Sequence, residues 1–325
     1  DPLDEYFAAM NHWFSTRYGY TIEPEWVTLG AGIVYALGTS VRAFTEEGDA
    51  MMVMQPVYYP FSEVIKNDGR RLVNCQLRYE NNHYSIDFEK MEKMIREEGV
   101  KALIFCNPHN PVGRVWSKEE LTRLGDICVK YHVTVVSDEI HEDFVFKGKH
   151  QVFANIKKEY EEITVTCTAP SKTFNIASLM ISNILIPNPE LKRKFKHQMD
   201  AAGISQLNVL GLVACEAAYE HGEEWYQAMK TYVKENIEFV KQYVEKQLPG
   251  VKMVEHEGTY LVWLDFRGTG LSVEELDDKI INQAKLWLDS GKIFGSCGER
   301  FQRINAACPR KVLEEAMDRI KNVVV

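Results

Sequence analysis

Through the first two-thirds of the chain, short β-branched and apolar runs alternate with stretches whose apolar positions recur every three or four residues. The runs predict strands at Met51–Gln55, Arg71–Leu77, Lys101–Cys106, Val133–Ser137, Ile163–Cys167 and Ser182–Ile186. Most are apolar on both faces, as strands covered from both sides must be. Between them, Asp87 is placed to cap a helix that stops at Gly99. Ser117-Lys-Glu-Glu120 reads as a capping box opening a helix with Leu121, Leu124 and Cys128 on one face. Ala31-Gly-Ile-Val34 opens another, running to about Thr45. Strand–helix alternation of this kind predicts a mainly parallel α/β sheet flanked by helices.

Beyond about Pro187 the pattern changes. Long helical stretches at Glu190–Ala202, Gln206–Glu220 and Glu223–Gln247 lead to Pro249-Gly250, followed by strands at Val251–Glu255 and Tyr260–Phe266. Ser272-Val-Glu-Glu275 is a second capping box and predicts a helix reaching about Ser290. A strand at Phe301–Ala306 and a helix from Lys311 close the chain. These last elements form a compact α+β unit. The chain is therefore divided near residue 221, inside or beside the long helices, into a large domain, 1–220, and a smaller C-terminal one, 221–325. There is no internal repeat and no low-complexity segment.

Composition narrows the partners. The 325 residues are 45% hydrophobic and 26% charged, ordinary for a soluble globular chain long enough to bury a sizeable core. A net charge of −9 argues against nucleic acid or an anionic membrane as the main partner. No apolar run approaches the roughly 20 residues of a membrane helix. The seven cysteines are scattered, with no C-x-x-C pair, which suits reduced, buried thiols in a cytoplasmic protein better than a disulfide framework or a zinc site. The sequence begins at Asp1 rather than at a methionine and is read as part of a longer product.

Several polar residues then stand near the carboxyl ends of the predicted strands, where open α/β sheets bind ligands. Lys172 follows one of them in Thr168-Ala-Pro-Ser-Lys-Thr-Phe-Asn175. It is either a solvated loop lysine or a partly desolvated amine able to form a Schiff base with an aldehyde. Asp138 ends Val133-Thr-Val-Val-Ser-Asp138, as a turn residue or as the partner that keeps a pyridinium nitrogen protonated. Asn107-Pro-His-Asn-Pro-Val-Gly113 reads as a rigid turn, and rigidity would also fix the Asn110 amide as a donor to a phenolate oxygen. The amides at Ile33 and Val34 either start a plain helix or hold a phosphate at its positive end. Tyr58, in Gln55-Pro-Val-Tyr-Tyr-Pro60, is a packed aromatic or a ring-stacking platform. Arg303, on the apolar strand Phe301-Gln-Arg-Ile-Asn305, must be paired or edge-facing, and its fork suits a carboxylate.

Taken in order, Asn-Pro-x-Asn-Pro-x-Gly, Ser-Asp-Glu-Ile-His and Ser-Lys-Thr-Phe-Asn resemble fold-type I enzymes dependent on pyridoxal 5'-phosphate, in the class I/II aminotransferase group. The likeness leans toward the branch of cystathionine β-lyase and the cystalysin-like C–S lyases. It runs through Gly30–Asp49, Gln55–Phe61, Cys106–Trp116, Ser137–Asp143, Ala169–Leu179, Gly258–Phe266 and Gly298–Pro309. The resemblance implies that Lys172 is the Schiff-base lysine and proton carrier. It likewise implies that Asp138 partners the ring nitrogen, Asn110 the ring oxygen and Tyr58 the ring face. Ile33, Val34, Ser171 and His141 complete the cofactor site, Arg303 binds the substrate carboxylate, and Tyr59 stands near the leaving group. No metal is implied.

His141 occupies a position where aminotransferases typically carry Tyr, and Met180 one where they commonly carry a phosphate-binding Arg. Together with Arg-Ile-Asn-Ala-Ala-Cys-Pro at Arg303, these departures favour the lyase. Ala169 stands where a phosphate-binding Ser is frequent. The expected reaction is α,β-elimination of L-cystathionine or a related cysteine S-conjugate to pyruvate, ammonia and a thiol. The alternative is amino transfer between L-amino acids on the same scaffold. A homodimer with the active site at its interface, and an N-terminal arm preceding the position of Asp1, are likewise implied by the resemblance.

Overall fold

The computed structural model describes residues 2–204 and 206–325, so Asp1 and Ser205 lie outside the described residues. The N-terminal portion runs α1 (Pro2–Tyr18), β1 (Val27–Gly30), α2 (Ile33–Phe44), β2 (Ala50–Val53), α3 (Pro60–Asn67) and β3 (Arg71–Asn74). A hairpin of β4 (Arg78–Glu80) and β5 (His83–Ser85) precedes α4 (Phe88–Glu98), β6 (Val100–Cys106), α5 (Lys118–Lys130) and β7 (Thr134–Asp138). Then come β8 (Thr164–Thr168), β9 (Ser182–Leu185), α6 (Pro189–Ala201), α7 (Val209–His221) and α8 (Glu223–Gln247). The remainder is β10 (Lys252–Met253), β11 (Leu261–Asp265), α9 (Val273–Asp278), β12 (Asp289–Ser290), β13 (Phe301–Asn305) and α10 (Arg310–Val324).

The large sheet has the order β1-β9-β8-β7-β6-β2-β3. Neighbours from β3 through β8 are parallel, and β9 runs antiparallel to both β8 and β1. Its central strands feed two cores. Along β6, Leu103 and Phe105 enter one cluster, while Ala102, Ile104 and Cys106 enter the other. Side chains two apart share a face, so helices on both sides receive a full apolar surface.

The four-stranded sheet, β10-β11-β13-β12, is antiparallel. Val262 and Leu264 face the cluster that holds α8 and α10, while Trp263 turns the other way and joins the large sheet's core with Phe294 and Phe301. The hairpin ring Tyr79 stacks on Tyr84 and meets Phe301 edge-on, which fastens the hairpin to the small sheet. α8 spans both regions. Tyr226 near its start packs with α1, and Val233 onward packs over the small sheet.

The capped helices form as read. Asp87 accepts the amide of Lys90 and Gly99 ends that helix in the left-handed region, while Ser117 and Ser272 each make a capping box. The helix expected to reach Ser290 does not. It stops at Asp278, continues as one wide π turn over Lys279–Gln283, and gives way to β12. Leu286 and Leu288 pack into the small core while Trp287 between them stands 88% exposed, an alternation of period two that suits a strand. α1, β1 and the β4–β5 hairpin are additional to the sequence reading. Among the described residues, no helix is long and apolar enough to cross a membrane.

Candidate active site

The ends of β6, β7 and β8 and the start of α2 converge on one place. Asp138 is the last residue of β7 and is 4% exposed. One carboxylate oxygen accepts the Ile140 amide at 3.2 Å. Burial pushes its pKa up to about 7, against the lowering effects of that amide and of the Lys172 charge. Lys172 lies half-buried in the loop after β8, where the amides of Phe174 and Ile176 bond to the carbonyls of Pro170 and Ser171. Burial and, less strongly, Arg303 lower the pKa of its amine, while Asp138 opposes them. Ser171 beside it is buried.

The loop of Lys172 is tied down by Asp143. One Asp143 oxygen accepts Thr173 at 2.6 Å; the other accepts the indole N–H of Trp13 at 3.1 Å and the hydroxyl of Tyr18. The backbone carbonyl of Asp143 accepts Tyr226 at 2.7 Å. The additional helix α1 thus supports the lysine from behind. Its stripe of Tyr6, Met10, Trp13 and Phe14, at helical spacing, was the available signal.

The Asn-Pro loop is rigid as read. Asn107 donates to the Gln151 carbonyl at 3.0 Å, and a ring nitrogen of His109 lies 2.9 Å from the Pro56 carbonyl. Arg114 in the same loop pairs with Glu120 and Glu257. Tyr58 donates its amide to the Asn110 carbonyl at 3.0 Å, so these two loops are joined. Burial, first, and then the neighbouring Tyr59 raise the Tyr58 phenol to about 12. Tyr59 is exposed at the rim, edge-on to Phe294.

Ile33 and Val34 are the first residues of α2, behind Gly32, whose φ of 96° lies in the region glycine favours. Their amides precede the first intrahelical bonds and remain free to meet an anion. Ile33 is buried and Val34 is exposed. The Met180 methyl sits against Gly32, 3.3 Å from where a Cβ would be.

His141 is 4% exposed and packs edge-on against Phe144 and Tyr260, with Nδ1 unpartnered. Burial, with Lys172 and Arg303 nearby, drives its pKa down to about 3, so it is neutral near pH 7. Arg303 on β13 donates from Nη1 to the Asn110 side-chain oxygen at 2.8 Å and lies 4.8 Å over the Phe294 ring. Tyr260, Phe294 and Asp289 therefore join the site. None was singled out from the sequence, since pairing across the small sheet brings them there.

Pyridoxal phosphate would present a phosphate, a ring nitrogen that takes a proton, a ring oxygen and an aldehyde. The residues fit it. The α2 amides could hold the phosphate. Asp138 is a buried carboxylate that accepts the Ile140 backbone amide, and a ring N–H would supply a further partner. Asn110 spends its oxygen on Arg303 and keeps Nδ2 to donate. Lys172 offers the desolvated amine. Ala169 and Met180 supply no polar group toward a phosphate.

The model of the family described as aminotransferase class I and II matches residues 2–320. The chain belongs to that family. The family member cystathionine β-lyase PatB of Bacillus subtilis is 41% identical over 96% of this chain and 81% of its own. The structure of cystalysin from Treponema denticola, described as containing pyridoxal 5'-phosphate, superposes with a TM-score of 0.96 at 39% identity, covering 98% of this chain and 82% of its own. A pyridoxal-phosphate-bound C–S lyase from Staphylococcus hominis, complexed with L-cycloserine, gives a TM-score of 0.93 at 36% identity over 99% and 79%. These findings bear out the family and fold expected from the motifs.

For this family member the Asp138 environment has a pH consequence. Without cofactor, the folded chain keeps the Asp138 proton up to about pH 7, whereas an unfolded chain releases it near pH 4. The folded state then binds more protons, so this group's contribution to stability falls as pH rises from about 4 to about 7 and levels off above. The size is on the order of 4 kcal/mol. The thermal midpoint of cofactor-stripped protein should drop across that window, and Asp138→Asn should flatten the drop. An equal drop in the variant would remove Asp138 as its source.

Proposed function

We propose that the chain is a pyridoxal-phosphate-dependent carbon–sulfur β-lyase that converts L-cystathionine or a related cysteine S-conjugate to pyruvate, ammonia and a thiol. The observation that carries this reading is the desolvated Lys172 amine beside the buried Asp138 carboxylate at the ends of β7 and β8. The lyase names of the relatives support the C–S branch. When bound, the cofactor supplies an electron sink for the pair left at the substrate Cα.

The chain's own residues do the rest. Arg303 would hold the α-carboxylate and so orient the substrate Cα for the reaction. With the cofactor bound, Asp138 would hold a proton at the ring nitrogen and Asn110 would donate to the ring oxygen. Tyr58 would meet the ring face, the amides of Ile33 and Val34 with Ser171 would hold the phosphate, and His141, neutral and buried, would add no charge. Lys172, its pKa lowered by burial, takes the Cα proton through Nζ. Tyr59, exposed beside Phe294, would stand near the sulfur leaving group.

The same reading divides the chain near residue 221 into a cofactor-binding domain and a smaller domain carrying Arg303. A homodimer is proposed, supported by the exposed apolar residues Val209, Leu210 and Val213 on α7. A cytoplasmic location is proposed on the seven free cysteines, five of them buried.

The test incubates full-length holoprotein with L-cystathionine and measures pyruvate and free thiol together. Equimolar release without added keto acid is expected. Amino transfer that needs a keto acid and releases no thiol would replace the lyase by an aminotransferase.

A further inference from the structure

Arg303 does not wait for a carboxylate with its side chain loose. It stands on β13 directly across from Asp289 on β12, and the two are paired in register. Nε and Nη2 both reach one Asp289 oxygen, at 3.0 and 2.5 Å. Nη1 takes the Asn110 oxygen at 2.8 Å, and Phe294 underlies the guanidinium. Three of five N–H groups are thereby spent, and one remains on each terminal nitrogen. Two N–H groups on adjacent terminal nitrogens are what a bidentate carboxylate takes.

Asp289 is also unlike a partner that merely neutralises a buried charge. Its side chain is 40% exposed while that of Arg303 is 12% exposed, so the pair lies at the site's rim with the aspartate toward water. In such a place the Coulombic gain is screened and contributes little to folding. What remains is geometry. A long side chain with four torsions is held by its inner edge, with its outer N–H groups turned to the site.

We infer that Asp289 is a positioning residue for the substrate carboxylate: it fixes the Arg303 guanidinium so that its terminal N–H pair meets the α-carboxylate. This rests on the assignment of Arg303 to that carboxylate. An oxygen at this position supplies the alignment and its charge does not, so an amide should serve in its place.

The experiment uses holoenzyme and compares wild type, Asp289→Ala, Asp289→Asn and Arg303→Ala. Steady-state constants are measured for L-cystathionine, along with inhibition by a simple thioether carboxylic acid and by the matching amine that lacks the carboxylate. Asp289→Ala should raise KM about tenfold with kcat changed by less than about threefold, and should weaken the acid by a similar factor. The amine should bind unchanged. Asp289→Asn should stay within about threefold of wild type in every constant. Thermal midpoints taken without ligand show whether each variant is folded. The inference is overturned if Asp289→Ala leaves KM and acid binding within about twofold. It is overturned equally if Asn matches Ala, or if acid and amine weaken together. Should Arg303→Ala bind the acid as well as wild type, the carboxylate assignment itself fails, whatever Asp289 does.

Discussion

Lys172→Ala should abolish thiol and pyruvate release, lowering kcat by on the order of 10⁴-fold or more, and should remove the visible absorbance of the lysine-bound cofactor. The neighbours explain the severity. His141 is held neutral with a pKa near 3, which makes it a poor base at pH 7. Asp138 is buried under the site, with an oxygen committed to the Ile140 amide. Tyr58, raised to about 12, keeps its proton. Stopped assays over hours, with cofactor content measured in parallel, read the loss. A variant retaining more than about a hundredth of the rate would show that another group moves the proton.

Gly291→Ala should be the most damaging of the small substitutions. A Cβ at residue 291 would lie 1.9 Å from the Gly298 carbonyl oxygen and 2.7 Å from that of Phe301. Both obstacles are backbone, so no rotamer change relieves them. Gly298 meets the same obstacle from the opposite side, 2.2 Å from the Gly291 oxygen. The segments must part, and β12 must leave β13. A loss of about 4 kcal/mol or more is expected, and the KM should rise with the broken Asp289–Arg303 alignment. Gly148→Ala is the comparison, since nothing lies within 4 Å of its Cβ and only its φ of 83° resists, at about 1 kcal/mol. Urea midpoints rank the two. Similar midpoints would mean that the crossing at 291 relaxes freely.

These two predictions draw on different parts of what the sequence makes legible. Lys172, Asp138 and Asn110 stand in short motifs at strand ends, and a strand's end is local information. The capped helices were readable for the same reason, because Asp87 and Ser117 bond amides three residues away. The run from Ser272 was misread because its cap is local but its end is not. Only the approach of Gly298 and the pairing with β13 turn Asp289–Ser290 into a strand. Asp289 could not be tied to Arg303 by spacing, since fourteen residues and a loop separate them. α1 was passed over because its partners, Tyr219 and Tyr226, lie far along the chain, at the end of α7 and the start of α8.

That distance has a bearing on how the protein comes into being. Asp143 gathers Trp13 from 130 residues before it, Thr173 from 30 after and Tyr226 from 83 after. During synthesis α1 emerges before α7 and the first turns of α8, so its aromatic stripe lacks the surface it will cover until they have followed. The parallel strands can pair meanwhile, but the loop bearing Lys172 gains its full anchorage only when α1 and the start of α8 close upon Asp143. A nascent chain would thus complete its large sheet before the loop that seats its cofactor is fully anchored.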